Sequence, residues 1–237
     1  MIYTNKFEHL NENHFEIIDK CYKSGEFRDG NATALYDDDR KYNREMVGNN
    51  PHTAYHNIVK LIKKCVESDT HFQTYTTMVK TSSILLSEYT EGMYYKKHSD
   101  SHAMLDSRND WSCTLFLNNP DEYEGGELKL YVGNEDRSVD IKLNRGEYVL
   151  YPTGMIHEVT KVTSGSRRVC VFWIQSALQD RALLEMYTDL VLLLDPLRDA
   201  ESDVICPDLR LHLINTLVKV RGNLLRNYGH FNYRSNK

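Results

Sequence analysis

A series of short β-strand patterns between about Ser82 and Gln175 constrains the fold more than any other feature of the sequence. Seven or eight runs recur every 8 to 15 residues and are separated by glycine-containing turns, among them Ser164-Gly165-Ser166. No helical pattern separates the runs, which excludes the alternating units of a parallel sheet and predicts a sandwich or barrel. The clearest runs are SSILLSEY, YYKKH, SCTLFLN, ELKLYV, VDIKL, EYVLYP and RRVCVFWIQ.

Helical patterns flank this β region on both sides. Apolar residues recur at helical spacing over 7–24 and 54–68, and again in two stretches after Gln175. The polar segment 25–50 between the first two is predicted to be an ordered loop. The predicted organisation is a compact unit of three parts: N-terminal helices and loop (1–80), a β core (81–176) and C-terminal helices (177–237).

Composition excludes several classes of protein. No apolar run approaches the ~20 residues of a membrane span, and the start MIYTNKFEHLNENHFE lacks the layout of a secretory signal. Five widely spaced cysteines without a C-x-x-C pair indicate reduced thiols and a cytoplasmic location. A net charge of −5 argues against nucleic acid as the main partner. The segment 218–237 is basic and contains no Asp or Glu, and it suits either an acidic partner or a solvated helix face.

The segment HSDSH, residues 98–102, is a candidate metal site. In an extended chain, side chains two apart share a face, and they are separated by roughly 6.7 Å. His98 and Asp100 can therefore lean toward one ion, whereas His102, about 13 Å from His98, cannot join them without a sharp turn. The pair needs a third ligand from elsewhere; alone, it also suits the surface of a half-buried sheet.

His157, in TGMIHEVTKV, is the predicted third ligand, on another strand of the same barrel. Two imidazoles and one carboxylate leave three coordination positions open, as in non-haem Fe(II) oxygenases, whereas a structural zinc site has four closed ligands. Arg167, ten residues later, is placed to bind the far carboxylate of a 2-oxo acid. Val169, Val171 and Trp173 share its predicted face, while Arg168 points to the other side.

Beyond these residues, the sequence resembles the iron- and 2-oxoglutarate-dependent dioxygenases, in particular the prolyl 4-hydroxylase-like branch and the bacterial PKHD-type hydroxylases. YTEGMYYKKHSD resembles the family's Tyr-x-x-Gly-x-x-Tyr-x-x-His-x-Asp block. TLFLNNPDEYEGGEL resembles the family's central block, and its distal-histidine block is similar to LYPTGMIHEVTKVTSGSRRVCVFWIQS. FRDGNATALYDDDRKYNREMVGNN and NTLVKVRGNLLRNYG are similar to the PKHD amino-terminal loop and closing helix.

The resemblance implies a mainly β fold with flanking helices around a double-stranded β-helix, or jelly-roll, core. It also implies that His98, Asp100 and His157 bind Fe(II), and that Arg167 binds the distal carboxylate of 2-oxoglutarate. Further implied cofactors are dioxygen and, as a candidate addition, ascorbate. The implied reaction hydroxylates an unactivated C–H bond while 2-oxoglutarate becomes succinate and CO2, with a prolyl residue of a peptide or protein as the favoured substrate.

The resemblance assigns less definite roles to four other residues. Tyr89 and Tyr95 would line the co-substrate pocket. Some relatives have a carboxylate-binding tyrosine where this chain has Phe116, which cannot donate a hydrogen bond, and Thr114 is the candidate substitute. The loops 25–50 and 101–110 are predicted to form the substrate walls.

Three alternative functions stay open at this level. The same chemistry could act on a small molecule or on methylated nucleic acid, although the ten-residue step to Arg167 does not fit the two later arginines of the demethylating branch. A non-catalytic jelly-roll that binds another divalent metal is the third alternative.

Overall fold

Two antiparallel sheets face each other in the computed structural model, which describes residues 2–34, 39–49, 53–104, 107–133, 137–199 and 206–231. The strands are β1 (Tyr3–Lys6), β2 (Phe27–Asp29), β3 (Lys41–Tyr42), β4 (Arg44–Met46), β5 (Met78–Thr81), β6 (Leu85–Thr90), β7 (Tyr94–His98), β8 (Ala103–Met104), β9 (Ser107–Arg108), β10 (Trp111–Phe116), β11 (Tyr123–Gly125), β12 (Leu128–Val132), β13 (Arg137–Ile141), β14 (Glu147–Pro152), β15 (His157–Val159) and β16 (Val162–Ser176). The helices are α1 (Glu12–Ser24), α2 (Ala54–Ser68), α3 (Thr70–Thr76), α4 (Arg181–Asp199) and α5 (Pro207–Tyr228), with 3-10 turns at Gly30–Thr33 and Pro120–Glu122.

The sheet order is that of a double-stranded β-helix, which confirms the predicted fold class. The major sheet runs β1-β14-β10-β16-β6-β4-β2, with β5 and β11 also paired to β16. The minor sheet runs β13-β12-β15-β7-β3, and β8 and β9 form a separate hairpin. Neighbours in both sheets are antiparallel, and this order lets strands distant in sequence contribute to one space between the sheets.

Two hydrophobic clusters divide the interior. The larger cluster lies between the major sheet and α1–α4, and includes Phe15, Ile58, Phe72 and Phe172. The smaller cluster lies between the sheets and includes Phe116, Leu130 and Val169. Every residue of β10 is buried, because alternate residues of this central strand face the helix side and the space between the sheets. The helices thus close one face of the major sheet, and the other face is left for a site.

The structure corrects the predicted N-terminal region. The first helix begins at Glu12 and not at residue 7, because Asn11 caps it by accepting a hydrogen bond from the His14 N–H. Residues 3–6 form β1 on the edge of the major sheet. The predicted loop 25–50 contributes three short strands: β2 at the edge of the major sheet, β4 beside it, and β3 at the edge of the minor sheet. These strands have two or three residues each, too few for a period-two pattern to be visible in the sequence.

The predicted turn at Ser164-Gly165-Ser166 is wrong. The three residues continue β16, whose 15 residues pair in succession with β11, β6, β10 and β5. Gly165 takes φ +74°, a left-handed conformation that bends the strand without reversing it. β16 is therefore one continuous strand, from its pairing with β11 at one end to its pairing with β5 at the other.

Other expectations are tested only in part. No helix in the part of the chain that the structure describes is both long and apolar enough to cross a bilayer. All five cysteines are free thiols, four of them buried. The cytoplasmic location and the division at residues 80 and 176 stay predictions.

Replacing Gly165 with alanine is expected to lower the free energy of unfolding by at least about 2 kcal/mol, since a positive φ strains an L-residue. An added Cβ would also lie 2.2 Å from the carbonyl oxygen of Glu122. Urea denaturation measures the change. Gly154→Ala is the control, because nothing lies within 4 Å of its added Cβ, and an equal loss in both variants would contradict the account.

Candidate metal centre and ligand cavity

His98, Asp100 and His157 meet in the space between the two sheets. His98 is the last residue of β7 and His157 the first of β15, and the antiparallel register of these strands places the two histidines opposite each other. The Oδ1 atom of Asp100 lies 3.9 Å from His98 Nε2 and 3.7 Å from His157 Nε2. Their candidate ligand atoms all lie within 4.8 Å of one another, close enough to share one metal ion.

Hydrogen bonds orient each of the three groups toward a common point. The Nδ1 atoms of His98 and His157 lie 2.8 Å and 2.9 Å from the carbonyl oxygens of Lys96 and Met155, two residues before each histidine. With the proton on Nδ1 donated to the carbonyl, Nε2 keeps its lone pair for a metal. Asp100 Oδ2 accepts a hydrogen bond of 2.6 Å from Ser112 Oγ, which leaves Oδ1 facing the histidines.

Burial and the protonation state of His98 also suit a metal. The three side chains are 12%, 11% and 5% exposed for His98, Asp100 and His157. Burial, and then the charge of His157, lower the pKa of His98 well below its usual range, so its imidazole is neutral at physiological pH. Neutral imidazoles and a carboxylate are the forms that bind divalent metals.

Aromatic rings surround the two histidines. The Tyr95 ring stacks on His98 with 3.5 Å between the ring centroids, and Tyr151 lies edge-on to His157 at 5.1 Å. Tyr95 reaches this face through a register shift between β7 and β15. The two strands pair at His98 with His157 and at Tyr95 with Val159, so β7 has one more residue than β15 between the two pairs. Without that bulge, residues three apart would point to opposite faces.

Arg167 faces the same cavity from the major sheet. Its side chain is among the largest that are fully buried, and the guanidinium carbon lies 5.1 Å from the Tyr89 ring centroid and 5.5 Å from that of Phe116. It forms no ion pair with any of the described residues, and its Nε has no hydrogen-bond partner there. Burying a cation without an anion is costly, so this pocket is suited to an anionic ligand.

The alternation predicted along β16 is confirmed. Val169, Val171 and Trp173 line the cavity together with Arg167. Arg168 points to the opposite face, where its Nε lies 3.0 Å from Glu88 Oε1. The two adjacent arginines therefore have separate environments.

The residues predicted from the resemblance also line the cavity. Tyr89, Tyr95 and Thr114 are all part of its wall. Phe116 lies against the Arg167 guanidinium where some relatives have tyrosine, and the Thr114 hydroxyl interacts with that of Tyr151. His102, by contrast, is exposed and lies outside the three-residue cluster.

The predicted wall segments contribute as expected, and they also contain a charged pair that the sequence analysis missed. Segment 25–50 supplies Lys41 and Glu45, and segment 101–110 supplies Met104. Residues 35–38 and 105–106 of these segments lie outside the described residues. The Lys41 Nζ lies 2.7 Å from Glu45 Oε1, and both side chains are more than nine-tenths buried.

Comparison with known proteins gives one consistent result. A sequence profile described as the 2OG-Fe(II) oxygenase superfamily matches residues 84–175. A PKHD-type hydroxylase of Picosynechococcus is 36% identical over 176 residues, which cover 74% of this chain and 78% of that protein. Another from Parvibaculum lavamentivorans is 44% identical over 146 residues, which cover 62% of both chains. The alignment thus spans less than two thirds of the Parvibaculum protein.

Solved structures share the fold at low sequence identity. A Pseudomonas putida prolyl-4-hydroxylase superposes with a TM-score of 0.53 at 16% identity, covering 74% of this chain and 92% of the other. A Trichoplax adhaerens prolyl hydroxylase, solved with a peptide fragment of hypoxia inducible factor, superposes with a TM-score of 0.58 at 18% identity. The superposition covers 74% of this chain and 83% of the other. Both resemblances concern the fold.

Metal affinity is expected to depend on the cluster and on its orienting hydrogen bond. Asp100→Ala should abolish measurable binding of Mn(II) in calorimetric titrations, because two imidazoles alone remain. Ser112→Ala should weaken binding by about 10- to 100-fold, since partners that orient a metal ligand typically contribute this much. His102→Ala, at an exposed position, is the control. Retained affinity in Asp100→Ala, or an equal loss in His102→Ala, would refute the assignment.

Proposed function

The chain belongs to the PKHD-type hydroxylases of the 2OG-Fe(II) oxygenase superfamily, and on this premise we propose that it hydroxylates a prolyl residue of a peptide or protein. The superfamily uses Fe(II), 2-oxoglutarate and dioxygen. The observation that carries the proposal is a three-residue cluster of candidate ligands and a buried arginine in one cavity, where the arginine forms no ion pair with any described residue.

In this proposal His98, Asp100 and His157 hold the iron. Their donor set, two imidazoles and one carboxylate, is that of non-haem Fe(II) oxygenases and leaves positions for other ligands. When bound, iron and 2-oxoglutarate supply the oxidative chemistry, in which dioxygen, 2-oxoglutarate and a C–H bond give succinate, CO2 and an alcohol. The chain contributes orientation: the Lys96 and Met155 carbonyls fix the imidazoles, and Ser112 fixes the carboxylate.

Arg167 would pair with the distal carboxylate of 2-oxoglutarate. Its planar guanidinium can donate two parallel hydrogen bonds to a carboxylate. Tyr89 and Phe116 flank it and keep water away, which strengthens an ion pair. Because Phe116 cannot donate, the carboxylate would depend more on Arg167 itself, with Thr114 and Tyr151 as the neighbouring hydroxyl groups.

The charges of the cavity favour a neutral substrate group. Lys41, Glu45, Asp100 and Arg167 are the charged side chains among the described residues that line it, and their charges cancel. Fe(II) and doubly ionised 2-oxoglutarate also cancel each other, so the loaded cavity would be neutral. A charged substrate group would enter without a partner, at a cost of several kcal/mol. An uncharged prolyl ring avoids that cost and suits an apolar wall with Leu85 and Val171.

Peptide hydroxylation is tested by incubating a panel of proline-containing peptides with the protein, Fe(II) and 2-oxoglutarate, with and without ascorbate. We expect succinate formation together with the gain of one oxygen atom on a prolyl residue, located by fragmentation mass spectrometry. His102→Ala should behave as the unaltered protein, and Asp100→Ala should be inactive. Ascorbate as an additional cofactor stays a prediction that the paired assays measure.

The other outcomes of the same experiment separate the alternatives. Oxygen on a different residue, or turnover only with small molecules or methylated nucleic acid, would reject the prolyl substrate and keep the chemistry. If no succinate forms, either with a substrate or by uncoupled turnover of 2-oxoglutarate, the assignment as an enzyme is rejected. A non-catalytic metal-binding jelly-roll is then favoured.

Arg167 variants test the co-substrate assignment. Arg167→Ala should weaken 2-oxoglutarate binding by more than about tenfold, because removal of one partner of a buried charge pair costs at least about 2 kcal/mol. The 2-oxoglutarate affinity of Arg167→Lys should lie between those of the unaltered protein and Arg167→Ala. Lysine keeps the positive charge but cannot donate two parallel hydrogen bonds from a planar group. Calorimetry on Mn(II)-loaded protein measures affinity independently of turnover. Arg168→Lys on the opposite face is the matched control, and an equal loss there would overturn the assignment.

A further inference from the structure

The C-terminal helices α4 and α5 expose a large share of the apolar surface. Thirteen large hydrophobic side chains are exposed among the described residues, and eight of them lie on these two helices. They are Met186, Leu192, Leu193, Leu209, Leu211, Val218, Val220 and Tyr228. Scattered single residues of this kind are ordinary, whereas a concentration on one helix pair is typical of an interaction surface.

Helix α5 is unusual because none of its 22 residues is buried. Its main neighbour is α4, and the apolar side chains of α5 that pack against the large hydrophobic cluster are Leu224 and Leu225. Leu209 and Leu211 are more than half exposed, and Val218 and Val220 are also exposed. A helix with apolar residues around its circumference is normally covered on several sides. Part of the surface that would cover α5 is missing from the residues that the structure describes.

The helix pair is nevertheless held in place within the chain. Arg210 donates hydrogen bonds of 2.6 Å to the carbonyl oxygens of Leu197 and Arg198 at the end of α4. The Arg221 guanidinium lies over the Tyr187 ring at 5.9 Å. The exposed apolar surface is therefore pre-organised, which lowers the entropic cost of binding a partner.

The charges of the two helices indicate what kind of partner fits. Residues 181–198 of α4 contain three acidic and two basic side chains, and α5 contains four basic side chains and one acidic. On the exposed face of α4, Asp189 lies between Met186 and Leu193 at helical spacing. Insertion of this stripe into lipid would bury a carboxylate, whereas a basic helix laid on it would pair with that carboxylate.

Within the chain, Glu185 pairs with Arg181 and Asp195 with His71, which leaves Asp189 as the exposed carboxylate among residues 181–198 of α4. We propose that α4 and α5 form an isologous dimer interface with a second copy of this chain, with the basic α5 of each copy on the Asp189 face of α4 of the other. A two-fold interface uses the same surface twice, so one chain supplies both complementary charges. Helix α5 is about 33 Å long, and two helices side by side are about 20 Å wide. The product of this length and width gives a contact area on the order of 600 Å² per chain. This area approaches the roughly 800 Å² per partner of a standard interface.

The test is the mass of the full-length protein in solution, measured by sedimentation equilibrium and by light scattering after size exclusion. The expected mass is twice the 27.7 kDa of the chain. Leu211→Glu, at a side chain that is 58% exposed, should raise the dimer dissociation constant on the order of a hundredfold, since each two-fold interface contains the change twice. Leu193→Glu on α4 is the second variant, and thermal melting verifies that both fold.

Ile17→Glu is the matched control, because Ile17 is an exposed apolar residue on α1, outside this helix pair. It should leave the dimer intact, and high salt should weaken the dimer of the unaltered protein. A monomer at tens of micromolar, a dimer that survives both helix variants, or monomeric protein that binds anionic vesicles through α5 would each overturn the proposal. A dimer lost equally in Ile17→Glu would also overturn it.

Discussion

The pairing of β7 with β15 is the constraint on which the candidate site depends. It places His157 opposite His98 across one antiparallel ladder. Because side chains alternate between faces, a slip of one residue would turn one imidazole to the outer side of the sheet. β15 has only three residues, but it is held on both sides, by β7 and by β12. The sheet thus fixes the relative positions of the two histidines.

The facing sheet supplies the second requirement, a cation held at depth in a largely apolar cavity. Arg167 lies on the central region of β16, whose neighbours β6 and β10 supply Tyr89 and Phe116. His98 and His157 on one sheet and Arg167 on the other face one cavity, and in the proposed function a short dicarboxylate lies between them. The Lys41–Glu45 pair adds no net charge to this cavity, which agrees with the neutral substrate group of the proposed function.

Much of this arrangement was predictable because period-two alternation is local. Spacing places His98 and Asp100 on one face, and Arg167 with Val169, Val171 and Trp173 on another, and the cavity confirms that these residues face one space. Spacing alone did not separate a metal site at His98 and Asp100 from an ordinary sheet surface. Tyr95 did not follow from alternation, since it reaches the His98 face only through a bulge that depends on pairing with β15. The position of Ser112 on the Asp100 carboxylate likewise requires the register of β10, which no local pattern contains.

The most direct test of the central claim is a crystal structure of the protein grown anaerobically with Fe(II) and 2-oxoglutarate, with the metal located by anomalous scattering. The account predicts one iron bound by Nε2 of His98, a carboxylate oxygen of Asp100 and Nε2 of His157, with the distal carboxylate of 2-oxoglutarate on Arg167. Iron bound by other side chains, or 2-oxoglutarate with its distal carboxylate away from that guanidinium, would contradict it.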